Sequence, residues 1–277
     1  MNKKLLFLII LSLFFLASNS LLVKWALLQN SIDPYSFTLV RLLSGALVLN
    51  LYLVYKEKKL SFSFKENLSS SFVLFSYAIC FSYAYIGLDA GLGTLILFSS
   101  VQLSMIFLAL RKKEKLNIKQ GFGILLALSG LMYLLYPNQD FELSYFHVFL
   151  IIIAGISWAF YSVLGKTKKN ILKSTTQNFT LASIFLLIFY IFFQSEIHIS
   201  QTGIILALLS GTLTSALAYV LWYFVLQRIK ITTASIIQLA VPIIAIFISI
   251  LFLGESLSLK LILSSAVILL GIAISLV

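Results

Sequence analysis

Apolar residues run through this chain in long blocks separated by short polar connectors. Ten blocks can be bracketed, at about 5–28, 35–55, 68–88, 91–110, 118–136, 144–164, 176–194, 202–226, 231–253 and 258–277. A helix needs about 20 mostly apolar residues to cross a bilayer core, and each block is near that length. The connectors hold the punctuation: Asp33-Pro34, Lys56 to Asn67, Arg111 to Lys119, Pro137 to Glu142, and Lys166 to Lys173. None is long enough for a soluble domain. The pattern predicts an all-α integral membrane fold of ten transmembrane helices.

Composition supports that reading. Hydrophobic residues make up 61% and charged residues 10%, against roughly 45–50% and 25% in soluble chains. The single cysteine, Cys80, cannot form an internal disulfide, and no Cys/His cluster suggests a metal; no cofactor is expected. The formal charge of +11 invites a nucleic-acid reading, but its distribution removes the need for one. With the N-terminus inside, all basic residues except Lys24, Arg41 and Lys260 fall on the cytoplasmic side, while outside connectors carry Asp33, Asp89, Asp140, Glu142, Glu196 and Glu255. That bias is what cytoplasmic loops facing anionic lipid require. The expected location is the plasma (inner) membrane, with both termini cytoplasmic. The first twenty residues imitate a secretory signal, yet apolar sequence continues through Leu28, so they read as an uncleaved first helix.

The chain also repeats itself. Glu114 ends span 4 with Gly130 sixteen residues on; Glu255 ends span 9 with Gly271 sixteen on, and both pairs are offset by 141 residues. The halves are then 1–140 and 141–277. Five spans per half is odd, so the second repeat lies inverted in the bilayer. Inverted repeats are a transporter architecture, with a substrate site between halves that rock against each other.

These residues resemble the drug/metabolite transporter superfamily, in its EamA-like ten-helix branch. The resemblance is carried by Ser18-Asn19-Ser20, Lys24, Pro34 and Arg41 in the first half. In the second half it is carried by Trp158, Tyr161, Gly211, Ala218, Tyr219, Trp222, Pro242, Gly254-Glu255 and Gly271. Two family features are missing: the span-4 proline, whose place is taken by Val101, and the span-1 tryptophan-glycine, near Ala17-Ser18. The resemblance implies a carrier of small organic molecules, often an exporter.

Candidate site residues follow from polar groups inside spans. Lys24 lies about 6 Å from the end of span 1 at 1.5 Å per residue. Either it snorkels to the outer interface or it lines an outward cavity and binds an anionic group. Ala17, Ser20 and Lys24 share a helix face, and Asn19 is about 140° round from Lys24. Arg41, deeper in span 2, shares a stripe with Thr38, Ser44 and Gly45. It reads as a packing seam with the guanidinium on neighbouring carbonyls, ahead of direct solute contact. Trp158, Tyr161 and Gly165 form one stripe, and Ser215, Ala218, Tyr219 and Trp222 another. Core packing or an interfacial belt competes with solute stacking for both, Trp222 being the belt candidate. Pro242 leaves the carbonyl of Gln238 without its N–H partner and predicts a kink at membrane depth. Gln102 and Gln238 are the expected amide pair along the pathway.

Lys24, Gln102, Tyr161, Tyr219 and Gln238 are therefore the expected substrate-binding residues, with Arg41, Trp158, Trp222 and Pro242 structural or gating. The spans offer two cations and no anion well inside, so an amino acid-like, zwitterionic or anionic metabolite is favoured over an organic cation. No proton relay is visible: Asp89, His147 and His198 lie near the outer boundary. Expected partners are the solute and the lipid bilayer, without nucleic acid, and a homodimer is compatible with the sequence. The alternative reading is an intramembrane enzyme such as a lipid-modifying transferase, although Gly165-Lys166-Thr167 lacks the upstream glycine of a phosphate loop, where Phe160 stands.

Overall fold

A computed structural model describes residues 3–58, 64–136, 144–194, 196–254 and 258–276. Glu255, Asp140 and Glu142, used above for the repeat and the charge map, lie outside these described residues. The described residues form ten helical rods: α1 (Lys3–Leu28), α2 (Pro34–Glu57), α3 (Phe64–Ala84), α4 (Ala90–Arg111), α5 (Ile118–Leu135), α6 (Tyr145–Gly165), α7 (Ile171–Phe192), α8 (Gln201–Leu226), α9 (Ile231–Leu253) and α10 (Leu259–Leu276). Two are irregular. α8 contains a π-helical segment, Thr212–Leu217, and α9 is interrupted at Leu239, three residues before Pro242.

Helix starts follow from local chemistry. Asp33 accepts from the Ser36 backbone N–H at 2.9 Å ahead of Pro34, which needs no N–H partner in a first turn. Asn117 and Gln120 form a reciprocal capping box before α5. Asn170 caps α7, which begins at Ile171 where the apolar pattern gave 176.

Among the described residues, seven helices are long and apolar enough to cross a bilayer. Within those residues α5 and α10 show the apolar stretches Ile118–Gly130 and Ile262–Gly271, and α3 is not among the seven. The expected ten full spans are thus met by seven on this measure. For α3 the reason is visible: Ser70 and Ser71 donate to the Asn178 side-chain oxygen at 2.8 and 3.3 Å, so its polar residues are satisfied inside the protein.

The packing pairs α3 with α6 and α7, α1 with α8 and α9, α2 with α7 and α8, and α4 with α6 and α9. α5 packs mainly on α10 and only slightly elsewhere. Gly130 and Gly271 both lie in that seam, the first against Ser264 and Ile268, the second against Gly123 and Ala127. Because the contacts advance in opposite sequence directions, α5 and α10 are antiparallel. The same holds for α2 and α7, joined by Tyr35–Tyr190 near one end and Glu57–Asn170 near the other. It holds too for α4 and α9, joined by Met105–Gln238 and Glu114–Ile231.

Candidate functional site

At the centre of the bundle sits a buried layer of polar and aromatic side chains. Arg41 of α2 is 1% exposed and reaches α8, where its Nε donates to Ser215 Oγ at 2.8 Å and its Nη2 to the Tyr219 hydroxyl at 2.7 Å. Its guanidinium also lies over the rings of Tyr77 and Phe81, 5.3 and 5.1 Å from their centroids. These contacts correct the expected pairing with carbonyls: the partners are two hydroxyls and two aromatic faces. The packing seam itself is present, since Gly211 brings α8 hard against Arg41 O and Ser44. Ser215 comes from the π-helical segment, whose wider turn re-aims side chains within an otherwise regular helix.

Around Arg41 the rings interlock. Tyr219 is 4.7 Å from Trp158, 5.8 Å from Tyr161, 5.6 Å from Phe179 and 6.4 Å from Tyr77. Trp158 donates its Nε1–H to Gln238 Oε1 at 2.8 Å, and the Gln238 amide nitrogen meets Met105 Sδ at 3.1 Å. The break at Leu239 therefore directly follows a side chain that ties α6 to α4 and α9. Gln102 lies one turn from Met105 on α4, buried, but its amide nitrogen has no partner, so Gln102 and Gln238 are not a bonded pair. Tyr161 is fully buried, its hydroxyl near Asn178 and Tyr223 without a hydrogen bond of good geometry. Trp222 is not in an interfacial belt: it is fully buried and donates to Ser162 Oγ at 3.2 Å.

Lys24 stands apart from this layer. It is 6% exposed, donates to the Tyr85 carbonyl at 3.3 Å and lies 3.9 Å from the Asp89 carboxylate. With Leu27, Ile32, Asp33 and Tyr85 it lines a recess of about 330 Å³ at one end of the bundle. Tyr85 packs edge-on against Phe81, with centroids 4.9 Å apart, so two rings separate this recess from Arg41.

Among the residues of the layer not chosen from the sequence, three hold or cover its polar groups. Asn19 accepts from Ser210 and Thr214 at 2.6 and 3.1 Å, joining α1 to α8. Tyr77 and Phe81 of α3 supply the faces under Arg41. Asn19 carried a signal, as a buried amide in an apolar helix; Tyr77 and Phe81 carried none among so many aromatics.

Both ends are tied across the helices. At the recess end, Asp33 N–H donates to His198 O at 2.9 Å and His198 N–H donates back to the Asp33 carboxylate at 2.9 Å. At the other end, the Glu114 carboxylate accepts from the Ile231 and Thr232 backbone N–H groups at 3.2 and 3.1 Å, capping α9. Nearby, Lys166 donates to the carbonyls of Leu226 and Ile229. Burial pushes its ammonium below the usual lysine range, against the opposing pull of Glu114.

Comparison with known proteins adds the following. The profile of the EamA-like transporter family matches twice, at residues 3–136 and 145–277. An uncharacterized protein of Pseudomonas aeruginosa is 35% identical over 273 residues, covering 99% of this chain and 94% of that one. The uncharacterized transporter YoaV of Bacillus subtilis is 25% identical over 256 residues, 88% of this chain and 87% of its own. An uncharacterized transporter of Archaeoglobus fulgidus is 23% identical over 206 residues, 72% of each chain. A protein of known crystal structure shares the fold with a TM-score of 0.77 at 14% identity, over 99% of this chain and 98% of that one.

Proposed function

The chain belongs to the EamA-like transporter family, and from that premise we propose that it is a secondary transporter of a small organic metabolite working by alternating access. The carrying observation is the central layer, which draws side chains from α1, α2, α3, α4, α6, α7, α8 and α9 while α5 and α10 pair off beside it. A site so assembled changes shape whenever the halves shift. In this proposal residues 1–140 and 141–277 are two inverted five-helix repeats spanning the plasma membrane ten times, both termini cytoplasmic. The antiparallel pairing of α2 with α7, α4 with α9 and α5 with α10 supports the inversion, because equivalent helices of inverted repeats run in opposite directions. The twofold family match supports the duplication.

The solute is zwitterionic or anionic, amino acids being the leading example. Among the described residues no carboxylate is bonded to Arg41 in the layer, which favours negative over positive guests. Tyr161, Tyr219, Gln102 and Gln238 line the site, with Lys24 in the entry recess. Trp158 and Trp222 support it, and Pro242 serves the moving helix. Export is carried over from the family resemblance. The test is reconstitution of the purified protein into liposomes and counterflow with amino acids, organic acids, nucleosides and quaternary amines. Saturable movement of unmodified acids or amino acids is expected; chemical conversion, or no movement of any panel member, refutes the reading.

A further inference from the structure

Arg41 is a permanent cation taken almost wholly out of water, and among the described residues neutral groups alone hold it. A guanidinium keeps its proton in proteins, so burial does not neutralise it. Hydroxyls from Ser215 and Tyr219 occupy Nε and Nη2, the rings of Tyr77 and Phe81 cover its faces with the Tyr77 hydroxyl nearby, and Nη1 is buried without a hydrogen bond of good geometry. Burying a charge without an opposite charge is among the costliest arrangements a fold can keep, and such residues within membranes default to function. The other buried side-chain nitrogens without a partner among the described residues, Gln102 Nε2 and Asn178 Nδ2, are donors too. Among the described residues the centre thus holds nitrogen donors without partners and no anion.

We infer that Arg41 is the residue that binds the solute's carboxylate, through the open Nη1 end of its guanidinium fork. The apolar body of the solute then packs among Tyr77, Trp158, Tyr161 and Tyr219. Ser215 and Tyr219 act as positioning residues: they fix the fork from the side, leaving its end for the two oxygens of a carboxylate, the geometry in which arginine binds such groups best. Lys24 is not the anchor. It already has the Tyr85 carbonyl and the Asp89 carboxylate beside it, and it lies two rings away from the layer. The solute class is a carboxylic acid with an apolar or aromatic body, neutral or anionic overall. This inference rests on the transporter reading only for what happens after binding.

The experiment uses three probes with one ring and different charges: phenylacetate, phenylacetamide and 2-phenylethylammonium. Binding to the detergent-purified full chain is followed by tryptophan fluorescence, Trp158 and Trp222 being buried in or beside the layer. Phenylacetate should bind at least about tenfold tighter than the amide, the value of a charge-assisted hydrogen bond, and the ammonium should bind weakest. Arg41→Gln should abolish the preference for the acid over the amide, Arg41→Lys should retain part of it, and Lys24→Ala should leave it in place. If Arg41→Gln does not yield folded protein, the wild-type ranking of the three probes still decides. Equal binding of acid and amide, preference for the ammonium, or failure of all three to bind at millimolar concentration overturns the inference. So does an acid preference that survives Arg41→Gln. The two readings fail separately. Arg41-dependent acid binding without counterflow of any acid would refute transport alone, whereas counterflow indifferent to Arg41→Gln would refute the anchor alone.

Discussion

Replacing Gly211 with alanine tests whether close approach of α2 and α8 holds the central layer together. A methyl group on Gly211 would meet Ser44 Oγ and the Arg41 carbonyl oxygen at less than any real Cβ contact, and backbone on the α2 side cannot swing away. The helices must therefore separate, by an amount on the order of 1 Å if ordinary contact is to be restored. Such a displacement carries Ser215, one turn on, away from Arg41, and a hydrogen bond now at 2.8 Å is lost. Overpacking costs about 1–3 kcal/mol, and losing a hydrogen bond to a charged group costs about 1–3 kcal/mol more. The helix-propensity gain of alanine over glycine returns about 1 kcal/mol. The net is about 1–5 kcal/mol, a fall in unfolding temperature of several degrees at about 2–4 °C per kcal/mol. The assay is thermal unfolding of the detergent-purified protein, with Gly121→Ala as the matched control. Nothing lies within 4 Å of a methyl group built on Gly121, so that variant keeps or raises the melting temperature. A Gly211→Ala protein melting at or above wild type would refute the close-packing argument.

Three further outcomes are expected. Glu114→Ala removes the acceptor for two backbone N–H groups at the start of α9 and should lower stability by about 0.5–2 kcal/mol, with Glu114→Gln milder because it keeps an oxygen; equal melting of the two variants would count against the cap. Pro242→Ala restores an N–H at the break in α9 and should slow counterflow more than it weakens solute binding; an unchanged counterflow rate would remove the moving-kink role. In a Cys80→Ser background, single cysteines at Asn138, which lies outside the described residues, and at Lys168 should label from opposite sides with an impermeant thiol reagent, and labelling of both from one side would overturn the topology.

Much of the fold was legible because the bilayer imposes one rule that sequence obeys openly: long apolar blocks with charge between them. The helix limits agree with those blocks to within a few residues, and Asp33, Asn117 and Asn170 mark three starts. Gly130 and Gly271, noticed only as a repeated spacing, lie in one seam where α5 and α10 touch backbone to backbone, which explains why both are glycine. The break in α9 was legible too, since proline leaves no alternative. The π-helical segment of α8 was not. No residue in Thr212–Leu217 lacks an N–H, and the Thr212 and Thr214 hydroxyls that bond back to the Leu208 and Ser210 carbonyls do the same in regular helices; what distinguishes the segment is that Ser215 and Thr214 also reach α2 and α1.

The site was read less well, and Asn19 shows why. Judged on a lone helix, Asn19 and Lys24 lie about 140° apart, so one face cannot present both squarely. That inference assumes a helix with one protein-facing side. α1 is packed on by α4, α8 and α9, and it buries Ala17, Asn19, Ser20, Val23 and Lys24 together. Along residues 16–27 no position of α1 is exposed, so a polar group there has no outside to which it can be assigned, although Phe7, Ile10 and Phe14 are exposed earlier in the same helix. The partners of Arg41 were missed for the converse reason. Within α2 its available acceptors are carbonyls, and Ser215 and Tyr219 become partners only through a contact 174 and 178 residues away in sequence. Spacing along one span can say that a charge is buried; whether an opposite charge meets it depends on rotations between spans. That no counter-ion meets Arg41 among the described residues, the property on which the proposed solute choice turns, is therefore a feature of the assembled bundle.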